Sequence, residues 1–305
     1  MIGMTVGRAG RHRRPLALTC ASRGGGRLFA AFAFLCVAHF LPAAAFAADA
    51  SADPWAEVMT PLPGPAEIFG GPTHGCIVGA RPLPPDGPGY EVVRLSRRRY
   101  FGHPDLVAFI KRLGRRARAA GLPPFYVGDM AQPRGGPMPA GHAAHQIGME
   151  ADIFFALDRH PYLPPSARDE VPLPSMLLSN YHQLDTHAFG PRQIELLKLA
   201  ATDAAVARIF VNPLIKAAVC RAVIGSAPAE RVWIRKIRPW FGHAAHFHVR
   251  LHCPASSPDC QEQKSPPLGD GCGAELASWL RHLPPPHPRI GCIRCHRCLW
   301  PATES

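Results

Sequence analysis

An α+β domain is the fold that the sequence predicts: a small antiparallel sheet flanked by helices and long loops. Three observations point there. Short stretches of strand and helix character follow one another without a regular βαβ alternation. Proline is abundant, at 35 of 305 residues, and only 18% of residues are charged, which favours a loop-rich globular chain over a helical bundle or a disordered one. The histidines number 16, and many gather in two clusters whose spacing suits a loop and a strand.

The chain opens on a targeting pattern. Arg8, Arg11, Arg13, Arg14, Arg23 and Arg27 form a basic n-region, Leu28 to Phe40 is apolar, and Ala45-Phe46-Ala47 is a small-x-small cleavage site. Residues 1–47 are therefore expected to be a signal peptide, the apolar run being short for a permanent span. An uncleaved N-terminal anchor is the alternative, Arg13-Arg14 also fits a twin-arginine signal, and Met4 is a second candidate start. The formal charge is +12 over the whole chain. The signal holds six Arg and no acid, so 28 basic against 22 acidic residues leave the rest at +6. That charge suits a polyanionic neighbour such as cell-wall polymer. No nucleic-acid-binding motif accompanies it, and no nucleic-acid partner is expected. Eight cysteines lie beyond the signal, which suggests disulfides and an oxidising compartment. Cys292-x-x-Cys295-His296-x-Cys298 reads as disulfide or free thiol, with a metal site as the alternative.

Elements follow in order. Residues 48–100 look irregular, Pro- and Gly-rich, with one apolar stretch at Cys76-Ile77-Val78. His103-Pro104-Asp105 opens a helix, because proline suits the first position and an acid the first turn. Leu106, Phe109, Ile110, Leu113 and Ala117 follow at helical spacing, with Lys111, Arg112, Arg115, Arg116 and Arg118 as a solvated face, and Gly121 ends it. Phe125 to Val127 and Glu150 to Phe155 read as strands, with a Gly/Pro loop between them. Residues 156–190 are a long loop, a length that is often functional. Pro191–Ala200 and Asp203–Phe210 look helical, and Val232–Ile237 and Phe247–Leu251 look like strands. Residues 48–280 form the expected domain, and 281–305 a Pro- and Cys-rich tail.

The chemistry lies in the histidine clusters. His145 and Asp152 are seven residues apart. On one helix they would stand about 10.5 Å apart along the axis, too far for one metal. A turn at Gly148, which tolerates positive φ, removes the problem. His145 then sits on a loop and Asp152 on the following strand, where Glu150, Asp152 and Phe154 share a face. His246 and His248 alternate on a strand, facing away from Phe247, Val249 and Leu251. Two histidines, an aspartate and an open water position make a catalytic zinc shell, in which zinc brings the pKa of its water to about 7. HExxH is absent, so the proton acceptor must come from elsewhere, and His243 and His246 are the candidates.

The strings GHAAHQIGMEADIFF, RIFVNPLIK, KIRPWFGHAAHFHVRLHCP and GDGCGAEL, with RYFGHPDL and VGDM, resemble the penicillin-insensitive murein endopeptidases over roughly residues 70–280. These are metallopeptidases with HxxxxxxD and HxH motifs, related to lysostaphin-like and D-Ala-D-Ala peptidases. The resemblance implies a hedgehog/D-Ala-D-Ala peptidase-like fold whose sheet carries a Zn2+ site. It implies His145, Asp152 and His248 as ligands and His243 and His246 at the reaction centre. His142 corresponds to a ligand of a second metal, whose other positions this chain fills incompletely with Asn180 and His182. Disulfides Cys220–Cys272 and Cys253–Cys260 are implied, with Cys76 bonded to a C-terminal cysteine. The implied partner is peptidoglycan: a periplasmic enzyme cutting D-alanyl–meso-diaminopimelyl cross-links, insensitive to β-lactams. A D-Ala-D-Ala carboxypeptidase and a non-catalytic zinc- or wall-binding protein are the alternatives.

Overall fold

The computed structural model describes residues 54–138, 142–158 and 160–283. The expected signal and the cysteines of the tail, Cys292, Cys295 and Cys298, lie outside the described residues. The described residues belong to one compact unit beginning at Asp49. Among them, no helix is long and apolar enough to cross a membrane.

Helices and sheet together confirm the mixed class, with more strands than expected. Residues 48–100, read as irregular, contain the hairpin β1 (Glu67–Gly71) and β2 (His74–Val78). They also contain the short strands β3 (Arg81–Pro82), β4 (Asp86–Gly87) and β5 (Tyr90–Val92), and β6 (Phe101–Gly102) follows directly. Glycine and proline there punctuate short strands instead of preventing them, and Ile68 and Ile77 face the core. Helix α1 (Pro104–Ala119) starts where the sequence places it. His103 caps it by accepting the Asp105 N–H, and all five spaced apolar residues are buried.

Next come β7 (Phe125–Val127), β8 (Glu150–Phe154), α2 (Pro191–Ala201), β9 (Val206–Val211), α3 (Pro213–Ala222), β10 (Ile237–Pro239), β11 (His246–Leu251) and α4 (Ala274–Arg281). The main sheet runs β10-β9-β11-β8-β7-β5-β4. It is mixed, not purely antiparallel: β10 pairs parallel with β9 and β5 with β7, while β9, β11, β8 and β7 pair antiparallel.

Two expected elements change type. Asp203–Phe210 is not helical. Val206, Ile209 and Phe210 have helical spacing, but β9 lies between β10 and β11, and buried Val206, Ile209 and Val211 fill an interior strand position. Short apolar runs carry this ambiguity. Val232–Ile237 is not a strand until its last residue. A 3-10 helix spans Pro228–Lys236, opened by Pro228 and by the Glu230 carboxylate, which accepts the Ala227 N–H. The basic face of α1 is also only partly solvated. Arg112 makes two 3.2 Å bonds to Asp203, and Arg116 donates to Leu199 O and Thr202 Oγ1, tying α1 to the end of α2.

Around α3 the chain is clamped. Fully buried Lys216 donates to Ile234 O (2.9 Å) and Asp270 O (2.6 Å). Burial lowers its pKa to about 7. Arg238 pairs with Glu275 of α4. Disulfides Cys220–Cys272 and Cys253–Cys260 are formed, closing sequence separations of 52 and 7 residues. Cys76 has no disulfide partner among the described residues. Loop length sets how much each bond restricts the unfolded chain. Replacing Cys220 and Cys272 by serine is expected to cost about 4 kcal/mol, against about 2.5 for Cys253 and Cys260. Urea unfolding of the two double variants measures this, and equal or reversed losses would contradict the loop-length account.

Candidate metal centre and active-site cleft

Strand pairing builds the site. In the β8–β11 register, Asp152 lies opposite His248, Glu150 opposite Arg250 and Phe154 opposite His246. Side chains alternate along each strand, so all six point to one face while Phe247 and Val249 fill the core behind it. On that face Asp152, His246, His248 and Arg250 line a cavity of about 420 Å³, which His142, His145 and His243 also line, while Glu150 and Phe154 lie outside its lining. The five histidines of the two clusters that were singled out, with Asp152, thus meet in one cleft, while His182 does not line it.

His145 reaches the cleft from the loop before β8. Gly148 makes the expected turn, with φ +67°, and its carbonyl accepts the His103 N–H at 2.8 Å. A Cβ at this glycine would meet Gly102 Cα and His103 N at 3.1 Å. His145 itself adopts φ +69°, which is uncommon away from glycine and which the sequence did not reveal. The loop is pinned to the β1–β2 hairpin through Gln146, whose side chain accepts the Gly75 N–H and whose own N–H bonds Pro72 O.

Around Asp152 Oδ1 stand three imidazole nitrogens: His248 Nδ1 at 3.2 Å, His145 Nε2 at 3.4 Å and His246 Nε2 at 3.6 Å. Burial works against ionising Asp152, but His246, His145 and His248 hold its pKa well below the usual carboxylate value. His248 is likewise buried, yet Glu150 and Asp152 raise its pKa to about 9. His243 is lowered to about 4, first by burial and then by the neighbouring His248 and His246. Its Nδ1 faces Phe241 O at 3.0 Å, so the proton belongs on Nδ1 and the Nε2 lone pair is left available.

Three groups support the site that sequence reasoning left without a role. Glu150, fully buried, bonds the His248 ring, Arg250 and the His145 amide. Asp129 sits 2.9 Å from His142 Nε2 and also pairs with Arg99 and Arg97. The long 156–190 loop braces the His243–His246 segment from behind, since the Met176 N–H bonds Ala244 O. The available signal for Glu150 was a charged residue alternating with Asp152 on a strand that is otherwise apolar.

His142, His145 and Asp152 offer ligand atoms within 4.8 Å of one another and so could hold a metal ion. His182 joins no such group; its N–H is held by Asn180 Oδ1. The family model for penicillin-insensitive murein endopeptidase matches residues 68–292. The chain belongs to the penicillin-insensitive murein endopeptidase family. Relatives carrying that name include the protein of Klebsiella pneumoniae subsp. pneumoniae, 45% identical over 249 residues covering 80% of this chain and 86% of its own. That of Escherichia coli K12 is 45% identical over 244 residues, covering 80% and 86%. That of Yersinia enterocolitica is 42% identical over 262 residues, covering 83% and 94%. The family match covers the β8–β11 floor, the His145 loop and both disulfides.

Gly148 carries a testable consequence for this family member. Gly148→Ala strains a positive φ and pushes a methyl against backbone, whereas Gly121→Ala, at φ +75°, meets nothing within 4 Å. Both changes cost about 1 kcal/mol or more for the backbone alone. Gly148→Ala is expected to lose clearly more in urea unfolding. Equal losses would show that the turn has room to relax.

Proposed function

We propose that the chain is a periplasmic zinc metalloendopeptidase that hydrolyses D-alanyl–meso-diaminopimelyl cross-links in peptidoglycan. The observation that carries this reading is Asp152 Oδ1 with His145 Nε2 and His248 Nδ1 at 3.4 and 3.2 Å, in a murein endopeptidase family member. Ligand atoms about 2.0–2.1 Å from a tetrahedral zinc stand about 3.3–3.4 Å from one another. Both ring nitrogens of His145 and Oδ1 of Asp152 are buried without a hydrogen bond of good geometry, a costly arrangement unless a cation takes their lone pairs. Imidazole and carboxylate donors suit zinc. His145, Asp152 and His248 are therefore assigned as its ligands. His142, whose Nε2 lies 2.9 Å from Asp129, keeps the role that the resemblance implies, a ligand of a second metal.

Zinc held there supplies Lewis acidity toward water and the amide carbonyl. The protein's own groups handle the protons. His246 is the least buried of the three imidazoles around Asp152, with 21% of its side chain exposed to the cleft. It stands where it can take a proton from the attacking water. His243, 5.3 Å away ring to ring, presents its Nε2 to the same space. One imidazole accepts the proton as water adds to the carbonyl, and returns it to the leaving amine as the C–N bond breaks. No serine nucleophile takes part, so a β-lactam has no hydroxyl to acylate.

His145→Ala and His248→Ala are each expected to abolish zinc binding and hydrolysis; retained zinc would remove the ligand assignment. His246→Ala is expected to keep zinc and lose about 10²–10⁴-fold in turnover, the range for one general acid–base group. Wild-type turnover in this variant would remove His246 from the mechanism. Mass spectrometry of products from purified cross-linked murein dimers fixes the bond cut. Monomers ending in D-alanine support the endopeptidase reading, whereas release of free D-alanine alone would replace it with a carboxypeptidase.

A further inference from the structure

Glu150 lies fully buried between the two histidine-bearing segments, and it contacts both. Oε1 faces His248 Nε2 at 2.9 Å and Arg250 Nε at 2.5 Å. Oε2 accepts the backbone N–H of His145 at 2.6 Å. A buried carboxylate without partners would cost several kcal/mol, and here three donors from two distant stretches of chain surround it.

Arg250 Nε–H and the His145 N–H are obligate donors, one to each Glu150 oxygen, so both oxygens act as acceptors. Every group facing Glu150 must therefore be a donor. For His248 this places a hydrogen on Nε2 and confines any lone pair to Nδ1, the atom turned toward Asp152 Oδ1. For His145 it fixes an amide whose residue sits in the left-handed region, a conformation that a non-glycine residue holds only when its surroundings demand it. Arg250 completes the device. Its Nη1 bonds Gln263 and its guanidinium lies 5.2 Å from the Phe210 ring centre, contacts that hold it beside Glu150. An ion pair kept only for strand stability would account for Arg250; it would not account for the bonds to both histidines.

We infer that Glu150 is a positioning residue that selects the Nδ1-ligating form of His248 and holds the backbone pose of His145, presetting the metal centre from behind. This rests on the reading of His145 and His248 as zinc ligands. Carboxylates that hold a ligand histidine by its second nitrogen typically contribute 10–100-fold to metal affinity.

Glu150→Gln tests it with little change of volume. The amide accepts on one atom only, so its NH2 must face a donor, either the His145 N–H or the His248–Arg250 pair. Zinc affinity by chelator competition is expected to fall about 10–100-fold, with the circular dichroism spectrum of the metal-free variant unchanged. A second measurement needs no variant. In zinc-loaded wild-type protein labelled with 15N-histidine, long-range 1H–15N spectra are expected to show the His248 proton on Nε2. Zinc affinity within twofold of wild type in Glu150→Gln, with zinc lost in His248→Ala, would overturn the positioning role and leave the ligand reading standing. A His248 proton on Nδ1 would overturn it even if the variant failed to fold. Full zinc binding by His248→Ala would remove the ligand reading and this inference together.

Discussion

The antiparallel pairing of β8 with β11 sets Asp152 against His248, Glu150 against Arg250 and Phe154 against His246. Because side chains alternate, a slip of one residue by either strand would send its three to the other face. Phe247, Val249, Ala151 and Ile153 forbid that slip, since they are fully buried and would have to exchange places with charged groups. The hydrophobic core thus acts as the gauge for the polar site. β9 extends the same logic, placing Phe210 beside His248, and the chain leaving β9 ties the His243 carbonyl through the Asn212 amide.

Charge balance around that floor is settled locally. Asp152 is surrounded by imidazoles, Glu150 by an imidazole, a guanidinium and an amide, and Asp129 by two guanidiniums and His142. Each buried carboxylate has its own set of donors, which keeps all three ionised despite desolvation. The division also separates tasks. Asp152 lines the cleft, while Glu150 and Asp129 lie outside its lining and bond the groups that must be held still.

Sequence reading reached the parts of the site that spacing encodes. The turn at Gly148, the strand faces of Asp152 and His248, and the apolar partners of β11 follow from period-two alternation and one glycine. It failed where a short apolar run fits two periods, as in Val206 to Val211, which only the neighbouring strands β10 and β11 turn into a strand. It also failed where proline and glycine mark many brief strands, as before Phe101. The roles of Glu150 and Asp129 were illegible for another reason: their partners lie far along the chain, at Arg250 and His248 for one, and at Arg99 and His142 for the other. Local pattern says that a carboxylate is buried; only the fold says against what.

Glu150 and His248 are separated by 98 residues of chain. Contacts of that span close late, after shorter-range structure has formed. During synthesis, a growing chain that has made the His145 loop and β8 still lacks β11, and with it His248, His246 and Arg250. A chain that stops short of β11 therefore lacks half of that floor. The order of the sequence thus makes the centre one of the last parts of the domain that can be assembled.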